Sequence, residues 1–392
     1  MRKILFLTPW YPEESNRFWG IFCKKHADTI SINNDVFVLH ISFKKGLKST
    51  NSISLDIKGK FGRAYIRSSS LPIIGKFLDI IALVIYGSRF IKLIKSSWGK
   101  PELLHVNIAN PIGLLGFLEK MFRRTPYVIT EHSSVYTDWS QSTAPHRLKP
   151  LVKVFLRLIF DNATYITCVS SYLQRGIQKI TKNQHITVIP NVIEFPDRKN
   201  VKLADIYNKK NINILHVSLL SDREKNISSL IRVFASLSKI YPNIILHIVG
   251  SGHDELKLKK LANKFEVYGS RIIFHGAINN DLLSGFYKNA DFFVLSSNVE
   301  TFSVVAAESL FFGCPVLSTK CGGPEDFINE EVGLLVENSE KSLKDGLVYM
   351  VNNYKKFQSS YLSRYAREKF ASGVINKKFN KVFDEVIQGY DR

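Results

Sequence analysis

The sequence predicts an α/β protein made of two doubly wound, Rossmann-like domains facing each other across a cleft. Short, near-continuous apolar runs alternate with helical patterns along the whole chain, the habit of strands buried on both faces of parallel sheets. At 392 residues the chain is too long for one ordinary core and suits two domains. Between the halves, EFPDRKNVKLADIYNKKN (194–211) is polar and without strand pattern, as an inter-domain linker would be. The expected division is residues 1–195, a linker at 196–210, a second domain at 211–370, and a C-terminal helix at 371–392 packing back toward the first domain.

Taken in order, KILFLT, VFVLHIS, LLHVN, YVITEH, TYITCVS and HITVIPN read as strands of the first half. IFCKKHADTI and GLLGFLEKMF are helices between them. The second half resumes with INILHVS, IILHIVG, RIIFHG, DFFVLSS, PVLST and VGLLV. LSSNVETFSVVAAESLFFG reads as strand, loop and helix, with the helix starting near Thr301 and stopping at Gly313 ahead of Pro315. No short repeat or low-complexity segment is present.

Composition narrows the function. With 45% hydrophobic and 22% charged residues the chain is a folded globular protein. Its net charge of +20 is unevenly spread: residues 1–195 hold 27 Lys and Arg against 12 Asp and Glu, the remainder 27 against 22. A basic half-molecule points to a polyanionic partner: nucleic acid, an anionic membrane surface or a phosphate-rich substrate. Cys23, Cys168, Cys314 and Cys321 form no CxxC pair and no metal spacing with histidine, so they read as structural thiols of a reducing compartment. MRKILFLTPWYPEE is interrupted by Pro9 and Pro12 and reads as a first strand rather than a signal peptide. No apolar run approaches the roughly 20 residues of a membrane span. The expected location is cytoplasmic, or peripheral on the cytoplasmic face of a membrane.

In parallel sheets ligands bind at the carboxyl ends of the strands, and ETFSVVAAESL places Glu300 there. A helix beginning near Thr301 leaves the N–H groups of Phe302, Ser303 and Val304 free to hold a phosphate, helped by the helix dipole. Glu300 then faces the cleft. Glu308 lies in an apolar helix, where a carboxylate suits a ribose-type diol better than it suits isolation. The bland alternative is a dipole-complementing acid and a solvated helix glutamate. His132 ends the strand YVITEH, which opens its side chain into the cleft or leaves it a satisfied strand-end histidine. His105 and His275 read as structural.

ADFFVLSSNVETFSVVAAESLFFGCPVLSTKCGGPEDFI resembles the donor-site signature of the GT-B glycosyltransferases of family four, a glutamate followed after seven residues by a second. The resemblance extends over most of the chain. TPWYPEESNRFWGIFCKKHADTI is similar to their N-terminal acceptor loop and first helix, YVITEHSS to the strand ending in an active-site histidine, VIPNVI to the strand before the linker, and HVSLLSDREKNISSLIRVFASL to the start of the nucleotide domain. It implies an acceptor-binding first domain and a second domain that binds a nucleotide-sugar. It implies that Glu300 contacts hydroxyls of the donor sugar, Glu308 the ribose, Lys225 the diphosphate and His132 the sugar near its reacting carbon, with Gly20 and Trp19 of RFWGIF on the acceptor side. It also implies retaining transfer from a UDP- or GDP-sugar to a glycan or lipid-linked acceptor, as in surface polysaccharide or lipopolysaccharide assembly, with no cofactor and no metal. No DxD occurs in the sequence. Where many members have Gly-Arg this chain has Ser218–Leu219, and Arg223 is the candidate to replace that arginine. GSGHDEL keeps a glycine turn at Gly250 and Gly252 in a nucleotide-facing position but fails as a dinucleotide fingerprint.

Two stretches remain. RLKPLVKVFLRLIF (147–160) sets Arg147, Lys149, Lys153 and Arg157 among large apolar residues, and 73–100 is similar in character. Such stretches lie on anionic lipid or are core helices with cationic outer faces; with the basic half they point to a membrane surface. The rival functions are a nucleotide-sugar epimerase or hydrolase on the same fold, and a non-enzymatic polyanion-binding protein. Nucleic acid is not expected, because no reading motif occurs.

Overall fold

The structure, a computed structural model, describes residues 1–14, 19–45, 52–71, 74–142, 148–195, 207 and 210–390. Its contacts form two units, Met1–Val192 with Ser372–Arg392, and Ile193–Ala371. Of the expected linker, only Tyr207 and Lys210 lie among the described residues. Arg147 lies outside them as well.

The first unit is built on β1 (Lys3–Thr8), β2 (Asp35–Lys44), β3 (Ser52–Asp56), β4 (Phe61–Arg67), β5 (Leu103–Asn107), β6 (Tyr127–Glu131), β7 (Tyr165–Cys168) and β8 (Ile186–Val188). They lie in the order β3-β4-β2-β1-β5-β6-β7-β8. Every neighbouring pair is parallel except β3–β4. The sequence reading misses this antiparallel pair. Ser52–Asp56 alternates between exposed and partly buried residues and Phe61–Arg67 between partly and fully buried ones, so the signal is a period of two rather than an apolar run.

Successive residues of one strand face opposite sides of a sheet, and both sides are covered. Val128 joins Ile4, Phe6, Val36 and Val38 under the helices Ile21–Ile30 and Ser372–Tyr390. The second of these presents Ile375, Phe379, Val382, Phe383 and Val386, the i, i+4, i+7, i+8, i+11 stripe of an amphipathic helix. On the other side, the Tyr127 hydroxyl donates to Ile159 O at 2.5 Å. That side carries the helices Ile74–Trp98, Gly113–Arg123 and Pro150–Asn162.

The second unit holds β9 (Ile212–Val217), β10 (Ile244–Val249), β11 (Ile272–Gly276), β12 (Phe292–Leu295), β13 (Val316–Thr319) and β14 (Gly333–Val336). Their order is β11-β10-β9-β12-β13-β14, all parallel. Counted from β9 this is the 3-2-1-4-5-6 order of the Rossmann fold, whose direction reverses between its first and fourth strands. The expected α/β class of two parallel-sheet domains holds. Chains that leave β9 and β12 diverge at this switch point, so the loops after those two strands frame a crevice.

Candidate functional site

The loop after β9 carries Lys225, and the loop after β12 carries Glu300. Lys225 Nζ lies 2.7 Å from Glu300 Oε1, and the Ser297 hydroxyl donates to the same oxygen at 2.8 Å. Ser296 Oγ donates to the Lys225 carbonyl at 2.9 Å, and Asn298 N to that of Glu224 at 2.7 Å. Lys225 and Glu300 are only 22% and 11% exposed. Lys225 is therefore a half-buried cation held by one carboxylate, not a free surface charge.

Glu300 is itself pinned by its backbone. Its N–H donates to Cys321 O at 2.8 Å, and its carbonyl accepts from Gly323 N at 2.8 Å. Residues 300–302 are thus tied to the turn after β13, and this moves the helix start. The helix runs Val304–Phe311 and not from Thr301, because Ser303 takes φ 71° and ψ 80°, outside the helical region. Val304 remains a first-turn donor, now joined by the residues after it, whereas Phe302 sits in the turn with its ring between Phe327 and Phe370. The Ser303 hydroxyl is buried and has no partner. Glu308, one turn into the helix, is 5% exposed, which removes the solvated-glutamate alternative. The Tyr287 hydroxyl donates to Glu308 Oε2 at 3.2 Å. Burial first, then the facing carboxylate, raises the Tyr287 phenol well above its ordinary range.

Gly250 and Gly252 lock the β9 loop in place. Gly250 has φ 134°, and a Cβ there would stand 1.8 Å from Ser218 O, so only glycine lets the two loops meet. Ser218 N donates to Val249 O at 3.1 Å, Leu220 N to Ser251 O at 2.9 Å, and Asp222 N to Asp254 Oδ2 at 2.8 Å. Ser218 Oγ is 2.8 Å from His216 Nε2, and burial holds that imidazole down to about 4. Arg223 is exposed on the helix Asp222–Lys225, and its carbonyl accepts from Asn298 Nδ2 at 2.8 Å.

In the first unit, His132 follows β6 directly and is 6% exposed rather than open. Its ring lies against Phe22 and His26, at centroid distances of 4.6 and 5.1 Å, and Nε2 has no partner. Burial, then the neighbouring His26 and His105, holds it well below the ordinary histidine range, so it is neutral. The sequence reading passes over its neighbour Glu131. This fully buried carboxylate accepts from Ala109 N (2.7 Å), His132 N (3.1 Å), Ser133 N (3.4 Å) and the Tyr136 hydroxyl (3.1 Å). Burial outweighs these bonds and pushes its carboxyl up to about 7. No motif betrays Glu131, because its donors come from the ends of β5 and from residues beyond β6.

Gly20 starts the helix Ile21–Ile30 at φ 70°, and a Cβ there would meet the Trp10 carbonyl carbon at 2.5 Å. This close approach brings Trp19 and Phe22 around Trp10, at 5.2 and 6.0 Å between ring centroids. An aromatic row therefore leads from exposed Trp19 to His132. Among the described residues no group of three or more His, Cys, Asp or Glu side chains is placed to hold a metal ion.

A paired lysine and carboxylate thus stand at the switch point beside a helix start, where open parallel sheets bind their ligands. The family "Glycosyltransferase Family 4" matches residues 52–195, and "Glycosyl transferases group 1" matches residues 198–369. The chain belongs to the GT-B glycosyltransferases of family 4 and is an enzyme of the transferase class. It is 28% identical to the alpha-monoglucosyldiacylglycerol synthase of Streptococcus pneumoniae over 55% of this chain, and spans about half (51%) of that relative's length. It is 23% identical to the synthase of the same name from Acholeplasma laidlawii, over 92% of this chain and 99% of the relative. Among solved structures, Anabaena HepE in complex with UDP and glucose shares the fold, with a TM-score of 0.69 at 17% identity over 98% of this chain and all of that one.

Proposed function

We propose that the chain transfers a sugar from a UDP- or GDP-sugar to a glycan or lipid-linked acceptor, with retention and without a metal ion. The expected setting is assembly of a surface polysaccharide or lipopolysaccharide. The observation that carries this is Lys225 paired at 2.7 Å with Glu300 beside the start of the helix Val304–Phe311.

Each half of that pair has a use once a donor binds. The diphosphate takes the first-turn N–H groups and the Ser303 hydroxyl, and Lys225 turns from Glu300 to the phosphate that will leave. Arg223, exposed on the same short helix, is assigned a supporting role toward that phosphate, in place of the arginine that many members carry. Glu300, released, accepts from hydroxyls of the donor sugar, and Glu308 from the ribose. The resemblance assigns His132, which is neutral and buried in this structure, to the sugar near its reacting carbon. As the bond from the anomeric carbon to the phosphate oxygen breaks, the sugar gains oxocarbenium character. An acceptor oxygen then attacks from the same face, and the departing phosphate takes the acceptor's proton. Lysine and the helix N-terminus supply the positive field for the growing charge.

The relatives' names favour a glycolipid acceptor, and the UDP held by the HepE structure favours a uridine donor. The test is thermal unfolding with UDP, GDP, ADP and NAD, no metal added, for wild type and Glu308→Ala. Ligand at a hundredfold over its Kd adds about 2.7 kcal/mol, a few degrees for a domain of this size. A shift with UDP or GDP that disappears in the variant supports the reading and names the base. A shift with neither sinks it.

A further inference from the structure

We propose that the outer faces of the helices Ile74–Trp98 and Pro150–Asn162 dock on an anionic lipid bilayer, apolar end foremost, at the edge of the sheet that carries His132 and Trp19. In the longer helix Leu83, Gly87, Phe90, Ile91 and Ile94 are buried against the unit. Ile74, Phe77, Leu78, Ile81 and Ile85 repeat at helical spacing and are exposed, Phe77 by 65%. At 100° per residue the two sets lie on roughly opposite sides of the helix. A stripe facing water is ordinarily polar. This one is apolar for three turns and then cationic, because Arg89 and Lys92 continue it. The acid of the first three turns, Asp79, is half-buried and accepts from Ser68 Oγ and Ser69 N.

The helix Pro150–Asn162 repeats the pattern. Leu151, Val154 and Leu158 form an exposed i, i+3, i+7 stripe, Leu151 by 84%, flanked by exposed Lys149 and Lys153. Gly113–Arg123 lies between the two helices. A Cβ on Gly87 would meet Leu115, and one on Gly113 would meet Ile159. The three helices are one layer.

Orientation follows from topology. A helix joining parallel strands starts at the edge where the preceding strand ends and runs back along the sheet. Ile74–Trp98 joins β4 to β5, and Pro150–Asn162 joins β6 to β7. Their N-terminal halves, which hold most of the exposed apolar side chains, therefore reach the edge where β6 passes into His132 and β1 into the loop of Trp19.

Lipid fits this face better than a protein partner. The first 195 residues carry 27 basic against 12 acidic side chains, and exposed apolar residues edged by Lys and Arg are the interfacial pattern. No described helix is long and apolar enough to cross a membrane, so the contact is with the surface layer. The consequence for catalysis, that an acceptor on a lipid reaches the His132 edge along the bilayer, rests on the transferase reading; the docking does not.

The test is co-sedimentation of the full chain, without nucleotide, on vesicles of phosphatidylcholine alone and of phosphatidylcholine mixed with phosphatidylglycerol, at low and high salt. Binding is expected only to the mixed vesicles and should weaken with salt. Phe77→Asp with Ile81→Asp should lower it about tenfold or more, and Arg89→Glu with Lys92→Glu should remove much of its salt sensitivity. All four positions are exposed, so unfolding temperatures should stay at the wild-type value. Equal binding to neutral vesicles overturns the proposal, as does wild-type binding by the aspartate pair. So does a dimer in gel filtration that the aspartate pair turns into a monomer, since the face would then join two copies. Vesicle binding without any nucleotide-dependent thermal shift would leave the docking standing and sink the proposed UDP- or GDP-sugar donor site.

Discussion

Glu300 and Glu131 both stand at the carboxyl end of a parallel sheet, one in each unit, and their surroundings are opposite. Glu300 has a lysine at 2.7 Å and a serine hydroxyl at 2.8 Å. Glu131 has backbone and phenol donors from both sides of its strand end, and lies at 0% exposure. A carboxylate that holds a single lysine can exchange it for a ligand at little cost when the ligand replaces the hydrogen bonds that each partner gives up. A buried carboxylate that gathers backbone N–H groups can exchange nothing, because each donor it released would be stranded. The first arrangement suits turnover and the second holds a loop in shape.

Lys225→Ala gives the largest expected effect of this contrast. On the proposed reading it removes the cation facing the leaving diphosphate, which costs about 100- to 1,000-fold in kcat, or roughly 2.7–4 kcal/mol. Its unfolding temperature should fall by a few degrees, because Glu300, 11% exposed, is left with Ser297 as its side-chain partner. Glycosyl transfer and thermal unfolding, measured side by side, check both halves. A variant that unfolds early but still turns over would put Lys225 in the scaffold.

Glu131→Ala should behave the other way round. It strands the N–H groups of Ala109 and His132 and the Tyr136 hydroxyl, at about 3 kcal/mol in all. For a unit of this size that lowers the unfolding temperature by about 6 °C or more. Nucleotide binding by the second unit should survive at temperatures below the transition. An unfolding temperature equal to that of wild type would show that the carboxylate is dispensable to the loop.

The same contrast explains what could be read from the sequence. All twelve strands predicted from apolar runs are present, because strands buried on both faces write their burial directly into composition. The edge strand Ser52–Asp56 and its antiparallel neighbour Phe61–Arg67 did not, since only alternate residues of each turn toward a core. Glu300 and Glu308 were legible because their spacing resembles a known donor-site signature, although their partners Lys225 and Tyr287 lie 75 and 21 residues away. Glu131 was not, because no such signature marks it and its shortest bond, from Ala109 N, comes from another segment. The helix start at Val304 was misplaced by three residues, since the left-handed Ser303 answers to the turn after β13 rather than to local preference.

The smallest effect is a slope with pH. Glu131, raised from 4.5 to about 7 in the folded chain, favours folding below pH 4.5, and that contribution is lost as pH rises toward 7. The neighbouring histidines act in the opposite sense. His26 is held down from 6.5 to about 4 and His105 to about 3, both by burial first. Each resists the charge it would carry in the unfolded chain, so stability climbs with pH up to about 6.5. Between pH 4.5 and 6.5 the carboxyl and the imidazoles therefore oppose one another. Glu131→Gln cannot titrate and leaves the histidines unopposed. Its stability should start lower than wild type, for want of an acceptor, but rise more steeply over this window, by up to about 1.4 kcal/mol per pH unit. Urea unfolding of the two proteins at stepped pH measures the difference in slope. Parallel lines would mean that Glu131 is ionised across the whole range, stabilised by its four donors more than burial disfavours it.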